Sequence, residues 1–294
     1  MQISTKDKEL EKLKETLSLS VTKKEGERTA SIAYSSSGKM YCAGSVASDT
    51  NSLNISSEQA VLVLSALNTD YGIERIVTIR EASGDTSLSP IVGKIIIDHS
   101  MRIEKSIEYK IVNLSGENIF ESKDISKEFS NYKPEKIIIG RFQNSKFQEN
   151  HLQLNISEPL ELKPYAIQGL DRNFPLYDGA SGYGTAVATK NGKVYFGGQY
   201  SSPDKRLGLH SEVTSILSAL MDKNHEITDI GIVSSKYPDS PCDMCGICRQ
   251  FISEICAKFD ISPKLHCFSK DTDEYRTYKI EEYLPSSWTS KKWK

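Results

Sequence analysis

The sequence predicts an α/β layered fold built as two tandem halves, and three observations predict it. Strand-like and helix-like patterns alternate along both halves, as layered α/β architectures require. The block GKMYCAGSVAS at 38–48 returns as GKVYFGGQYSS at 192–202, an offset of 154 residues. Further on, SSEQAVLVLSAL (56–67) meets HSEVTSILSAL (210–220), with Glu58 and Glu212 at that same offset.

The elements follow in chain order. KDKELEKLKETL near the start reads as a helix with a solvated face. TASIAYSSSGKMYCAG has the form of a β-hairpin: an apolar-rich strand, a polar turn containing glycine, and a second strand. A loop, the Ala/Leu/Val-rich helix at 56–67 and the strand IERIVTI (73–79) come next, and SIEYKIVNLSGENIF with KDISKEFSNY closes the half. The second half repeats the order with GTAVATKNGKVYFGG, the helix at 210–220 and the strand ITDIGIVSS (227–235). It ends in the helix CRQFISEICAKF, the strand KLHCFS and KIEEYLPSSW. The stretch between the halves has no clear period and reads as an extended surface connector. The expected domains are therefore 1–133, a connector at 134–164, and 165–294.

Composition limits what the chain can do. Of 294 residues, 38% are apolar and 26% charged, and 37 basic residues are scattered among 39 acidic ones. That balance argues against nucleic acid or an anionic membrane as the partner, since either needs a basic face. No apolar run approaches the 18 residues of a spanning helix. MQISTKDKELEKLKETL carries charges where a signal peptide has its apolar region, so a cytoplasmic protein is expected. In a reducing compartment, clustered cysteines read as metal ligands or reactive thiols rather than disulfides.

The chemistry concentrates in the second half. His210-Ser211-Glu212 stands at a helix start, and SPCDMCGICRQF (240–251) holds three of the six cysteines at the start of another. Taken alone, His210 reads as a cap and Glu212 as a first-turn residue favoured by the helix dipole. Together with the cysteines they read differently. An imidazole and two thiolates suit Zn²⁺, and three protein ligands leave a fourth position for water, whose pKa falls to about 7 there. Glu212, two residues beyond the histidine, is placed to move that water's proton. Positive charge at a helix start favours thiolates. All three cysteines binding together would instead make a closed structural site with no role for Glu212.

His-x-Glu followed about thirty residues later by Pro-Cys-x-x-Cys is a zinc-deaminase pattern, and the chain resembles the cytidine deaminase family in its two-domain, zinc-dependent form. The motifs are His210-Ser211-Glu212, Cys245-Gly246-Ile247-Cys248-Arg249-Gln250 and Tyr283-Leu284-Pro285 with Trp288. They span residues ~177–288, with a weaker echo in the first half. The resemblance implies tandem three-layer α/β/α domains, each around a mixed five-stranded sheet, a homodimer, Zn²⁺ as cofactor, and a small nucleoside or amino-heterocycle as substrate. It assigns catalysis to Glu212 and metal ligation to His210 and Cys245. The third ligand is Cys248 in the Gly-x-Cys-Arg-Gln register and Cys242 in the Ser-Pro-Cys-x-x-Cys register. Where the family binds ribose hydroxyls through Asn and Glu, this chain has Gln199 and Ser201, and Ser181 replaces a pocket aromatic. Deamination is therefore better supported than cytidine as its substrate. The first half has Ser56 opposite His210 and no cysteine in SPIVGK (89–94), so it reads as a degenerate copy. The rival reading is a catalytically idle scaffold or binding protein with structural zinc. Cys42, Cys256 and Cys267 are expected in the core.

Overall fold

In the computed structural model, residues 5–23, 26–50, 53–82, 88–134 and 146–288 are described, together with 137, 140 and 142. The chain runs α1 (Thr5–Thr16), β1 (Thr29–Ser35), β2 (Met40–Gly44), α2 (Ser57–Leu67), β3 (Ile73–Arg80), α3 (Pro90–Ile103), β4 (Glu108–Val112), β5 (Asn118–Ser122) and α4 (Ile125–Glu128). It continues with β6 (His151–Gln153), α5 (Pro159–Leu170), β7 (Tyr183–Thr189), β8 (Lys193–Gly198), α6 (Ser211–Met221), β9 (Ile227–Ser234), α7 (Gly246–Phe259), β10 (Lys264–Phe268), β11 (Tyr275–Tyr278) and α8 (Ile280–Tyr283). Two compact units result. One draws on residues within 1–47, 54–65 and 70–147, the other on residues within 48–53, 66–69 and 148–294.

Each unit holds a mixed sheet, ordered β2-β1-β3-β4-β5 in the first and β11-β10-β9-β7-β8-β6 in the second. β3 and β4 are parallel, as are β9 and β10, and the other pairings are antiparallel. The expected five strands therefore hold for the first sheet, while the second gains a sixth through the three-residue pairing of β6 with β8. Both hairpins turn on a glycine in the left-handed region, Gly38 at φ 81° and Gly192 at φ 78°, again 154 apart.

Strand alternation puts helices on both faces of each sheet. On one face of the first sheet, Leu13 and Leu17 pack with Ala30, Ile32, Val77 and Ile79. The intervening Ser31 points the other way and bonds Ser57 of α2 at 2.8 Å. In the second unit Leu162 and Ala166 of α5 pack with Ala186, Ala188, Val233 and Phe268, while Thr185 bonds Ser211 of α6 at 2.7 Å.

Strand β6 and the first half of helix α5 lie in the stretch 134–164 expected to be a bare connector. Residues 135–136, 138–139, 141 and 143–145 of that stretch are outside the described residues. α5 starts 154 residues after α1 and covers the equivalent sheet face, so it is the first helix of the second repeat. Pro159 at its start and Pro164 inside it obscure a helical pattern. The Glu161 carboxylate, accepting from the backbone N–H groups of Ser157 (2.8 Å) and Glu158 (3.3 Å), and burial of Leu162 and Ala166 stabilise the helix despite Pro164.

The offset stays at 154 for β1/β7, α2/α6 and β3/β9, then becomes 156 for α3/α7 and β4/β10. The extra two residues fall between β9 and α7, the stretch that carries Cys242 and Cys245.

Candidate metal centre

Three donor atoms meet where α6 and α7 begin. His210 caps α6 in extended geometry (φ −75°, ψ 161°), and Cys245 caps α7 in the same way (φ −71°, ψ 161°). Cys248 is the third residue of α7, so both thiols face the helix start. His210 Nδ1 lies 3.4 Å from Cys245 Sγ and 3.4 Å from Cys248 Sγ, and the two sulfurs are 3.4 Å apart. Among the described residues this is the trio that could hold a metal. Tetrahedral zinc with its usual bonds to sulfur and nitrogen spaces such donors about 3.5–3.8 Å apart. Donor types and spacing therefore fit the ion. Cys248 is buried, Cys245 half-buried and His210 exposed, so the cluster opens on the histidine side.

Cys242 is outside this trio. It is buried, and burial pushes its thiol up to about 12, with Cys267 and Glu212 adding to the rise. The geometry favours the Cys245/Cys248 register and disfavours a closed site of three cysteines.

Charge within the trio is tightly coupled. Cys245 is drawn down to about 3 by its contact with the Cys248 sulfur and by His210, against the effect of burial. Cys248, in that contact and deeply buried, is pushed well up. His210 is raised by its bond to Cys245.

Glu212, in the first turn of α6, is 2% exposed, and burial raises its carboxyl. The Ser211 hydroxyl donates to it at 3.3 Å, and the Cys248 sulfur lies against it. Ser211 is in turn bonded to Thr185 on β7. α6 can sit this close because β8 carries Gly197. A Cβ there would lie 2.6 Å from Thr214 Oγ1 and 2.9 Å from the Ser215 backbone nitrogen.

Gln199 and Ser201 follow β8. The Gln199 N–H donates to Asn173 Oδ1 at 2.9 Å and the Ser201 N–H to the Phe174 carbonyl at 3.1 Å. Between them, Tyr200 exchanges backbone bonds of 2.9 and 2.8 Å with Leu209, the residue before His210. Main-chain pairing thus ties this stretch to the histidine. Asn173, Thr185 and the Tyr283 hydroxyl were not singled out as support from the sequence. Asn173 did carry a signal, since Asn ahead of Phe-Pro readily bonds nearby backbone. Cys256 and Cys267 are buried as expected, whereas Cys42 is half-buried against the first core.

The first unit shows the counterpart without ligands. Glu58 is buried, and accepts from Tyr109 at 2.6 Å, Thr78 at 3.1 Å and Ser57 at 3.4 Å. By strand register, Thr78 corresponds to Ile232 and Tyr109 to Leu265. The first unit therefore has two hydroxyl donors at strand positions where the second has apolar side chains.

The chain matches no protein-family model. Among solved structures it is similar to a cytidine deaminase from Burkholderia pseudomallei, with 22% identity over 45% of this chain and 100% of that one, at a TM-score of 0.39. A cytidine deaminase from Mycobacterium leprae is 18% identical, covering 44% of this chain and 100% of that one, at 0.36. A mutant cytidine deaminase from Mycobacterium tuberculosis is also 18% identical, covering 46% of this chain and 100% of that one, at 0.37. Among the described residues no helix is long and apolar enough to cross a membrane.

Proposed function

We propose that the chain is a zinc-dependent hydrolytic deaminase of a cytidine- or deoxycytidine-type nucleoside, or a related amino-heterocycle, releasing ammonia. One observation carries the reading: His210, Cys245 and Cys248 converge at 3.4 Å with a buried carboxylate, Glu212, against the same thiol. His210, Cys245 and Cys248 would hold the ion, which supplies Lewis acidity and makes a water acidic near neutral pH. Glu212 takes a proton from the attacking water and hands it to the ring nitrogen beside the amine-bearing carbon. It then takes the proton of the newly added hydroxyl, whose oxygen becomes the ring carbonyl, and gives it to the amine as the C–N bond breaks and ammonia leaves, acting as base and acid in turn. Its burial keeps competing water away from that proton path. Gln199 and Ser201 are assigned to the substrate, on a segment fixed to His210 through Tyr200 and Leu209. The same reading carries a homodimer, which sedimentation would register at twice the chain mass.

Two measurements test the reading. An ammonia-release screen over nucleosides, nucleotides and amino-heterocycles, run with and without chelator, should give turnover that chelation abolishes. Glu212→Gln should keep its zinc and lose about 10²–10⁴-fold in turnover, the usual worth of a general acid–base group. Undiminished turnover in that variant would overturn the role of Glu212.

A further inference from the structure

The peptide that precedes the first cysteine ligand is held from both sides by side chains. The Met244 N–H donates to the Tyr283 hydroxyl at 2.8 Å, and the Met244 carbonyl accepts from Arg249 Nε at 2.9 Å. Met244 itself is 1% exposed, so neither backbone group has water as an easy substitute. Tyr283, at the end of α8, donates its own proton to Asp243 Oδ1 at 2.9 Å. Arg249, in the second turn of α7, also donates to the Tyr283 carbonyl at 2.9 Å and lies over the Tyr283 ring at 4.3 Å. Tyr278 stacks against that ring, with centroids 4.3 Å apart and planes within 2°. The two residues therefore lock each other as well as the peptide between Asp243 and Cys245. This matters because the cysteine loop is two residues longer than its counterpart in the first unit, and a longer loop needs a fixed point before it delivers a ligand.

We propose that Tyr283 is a positioning residue for Cys245: its hydroxyl, with Arg249, pins the Met244 peptide and so sets where the Cys245 sulfur stands relative to His210 and Cys248. The inference rests on the metal reading of this site. Removing the hydroxyl leaves the Met244 N–H buried without its acceptor and frees the loop ahead of Cys245. Groups that orient ligands from outside the coordination sphere typically change metal affinity by 10–100-fold.

Cobalt(II) provides the test, since its thiolate charge-transfer and d–d bands report ligand type and geometry independently of turnover. The whole chain should bind cobalt with both sets of bands. Y283F should remain folded by circular dichroism, bind cobalt roughly 10–100-fold more weakly, and show shifted or weakened d–d bands. Y278F, which keeps the stacked ring, should match the unaltered protein. If Y283F does not fold, R249K makes the comparison, because lysine cannot hold the Met244 and Tyr283 carbonyls together. Folded Y283F with unchanged cobalt affinity and bands overturns the positioning role and leaves the metal site intact. Failure of the unaltered chain to give a thiolate band overturns the metal reading and this inference with it.

Discussion

At the scale of single residues, the two units treat the same carboxylate in opposite ways. Glu58 receives three hydroxyls, whereas Ile232 and Leu265 stand where Thr78 and Tyr109 would serve Glu212. Tyr109→Phe is expected to cost about 1–3 kcal/mol, because it strips a donor from a buried acceptor. Zinc content should not change, and thermal melting with metal analysis checks both. His99 sets a second expectation. It is fully buried, donates Nε2–H to the Tyr71 carbonyl at 2.8 Å, and is held down to about 4 by burial, with Arg102 adding to the fall. Between the ordinary value of 6.5 and about 4, the unfolded chain binds a proton that the folded chain refuses. Stability from this group is thus complete above pH 6.5 and falls as the pH drops through that window, by about 2 kcal/mol between pH 7 and 5. Urea unfolding at the two pH values should show that loss, and His99→Gln should remove it.

At the scale of elements, the hairpins and the buried helices were legible because their patterns are strong. Gly38 and Gly192 mark the turns, and the apolar runs in 56–67 and 210–220 become α2 and α6. The histidine, glutamate and cysteines were legible as a set because few other roles need them together. α5 was not legible: two prolines interrupt its pattern, and its reason to form is burial against β7 and β8, which a linear reading does not contain. The choice between Cys242 and Cys248 is likewise open in the sequence, because only the turn of α7 shows which sulfur lies 3.4 Å from the histidine. Helix α6 depends on its closeness to β8. Gly197→Ala should force the helix outward, destabilise by about 1–3 kcal/mol and reduce turnover, which melting and the ammonia assay would record.

At the scale of the whole chain, a single repeated plan carries one set of metal donors among the described residues. If the trio holds zinc as proposed, removing it should be felt locally. Hydrogen exchange after chelation is expected to rise in 199–212 and 235–250, with 57–80 unchanged; equal loosening in both stretches would contradict this. The first half, with no such donor set among its described residues, also offers an internal control written into the same polypeptide. What both halves keep, namely the hydroxyl at 31 and 185, the serine at 57 and 211 and the acid at 58 and 212, is what the architecture demands whether or not chemistry follows. What only one half holds, His210, the two thiols and the apolar pair at 232 and 265, is the set on which the proposed chemistry depends. Under that proposal, a transplant to another scaffold would carry the second set and leave the first to the building.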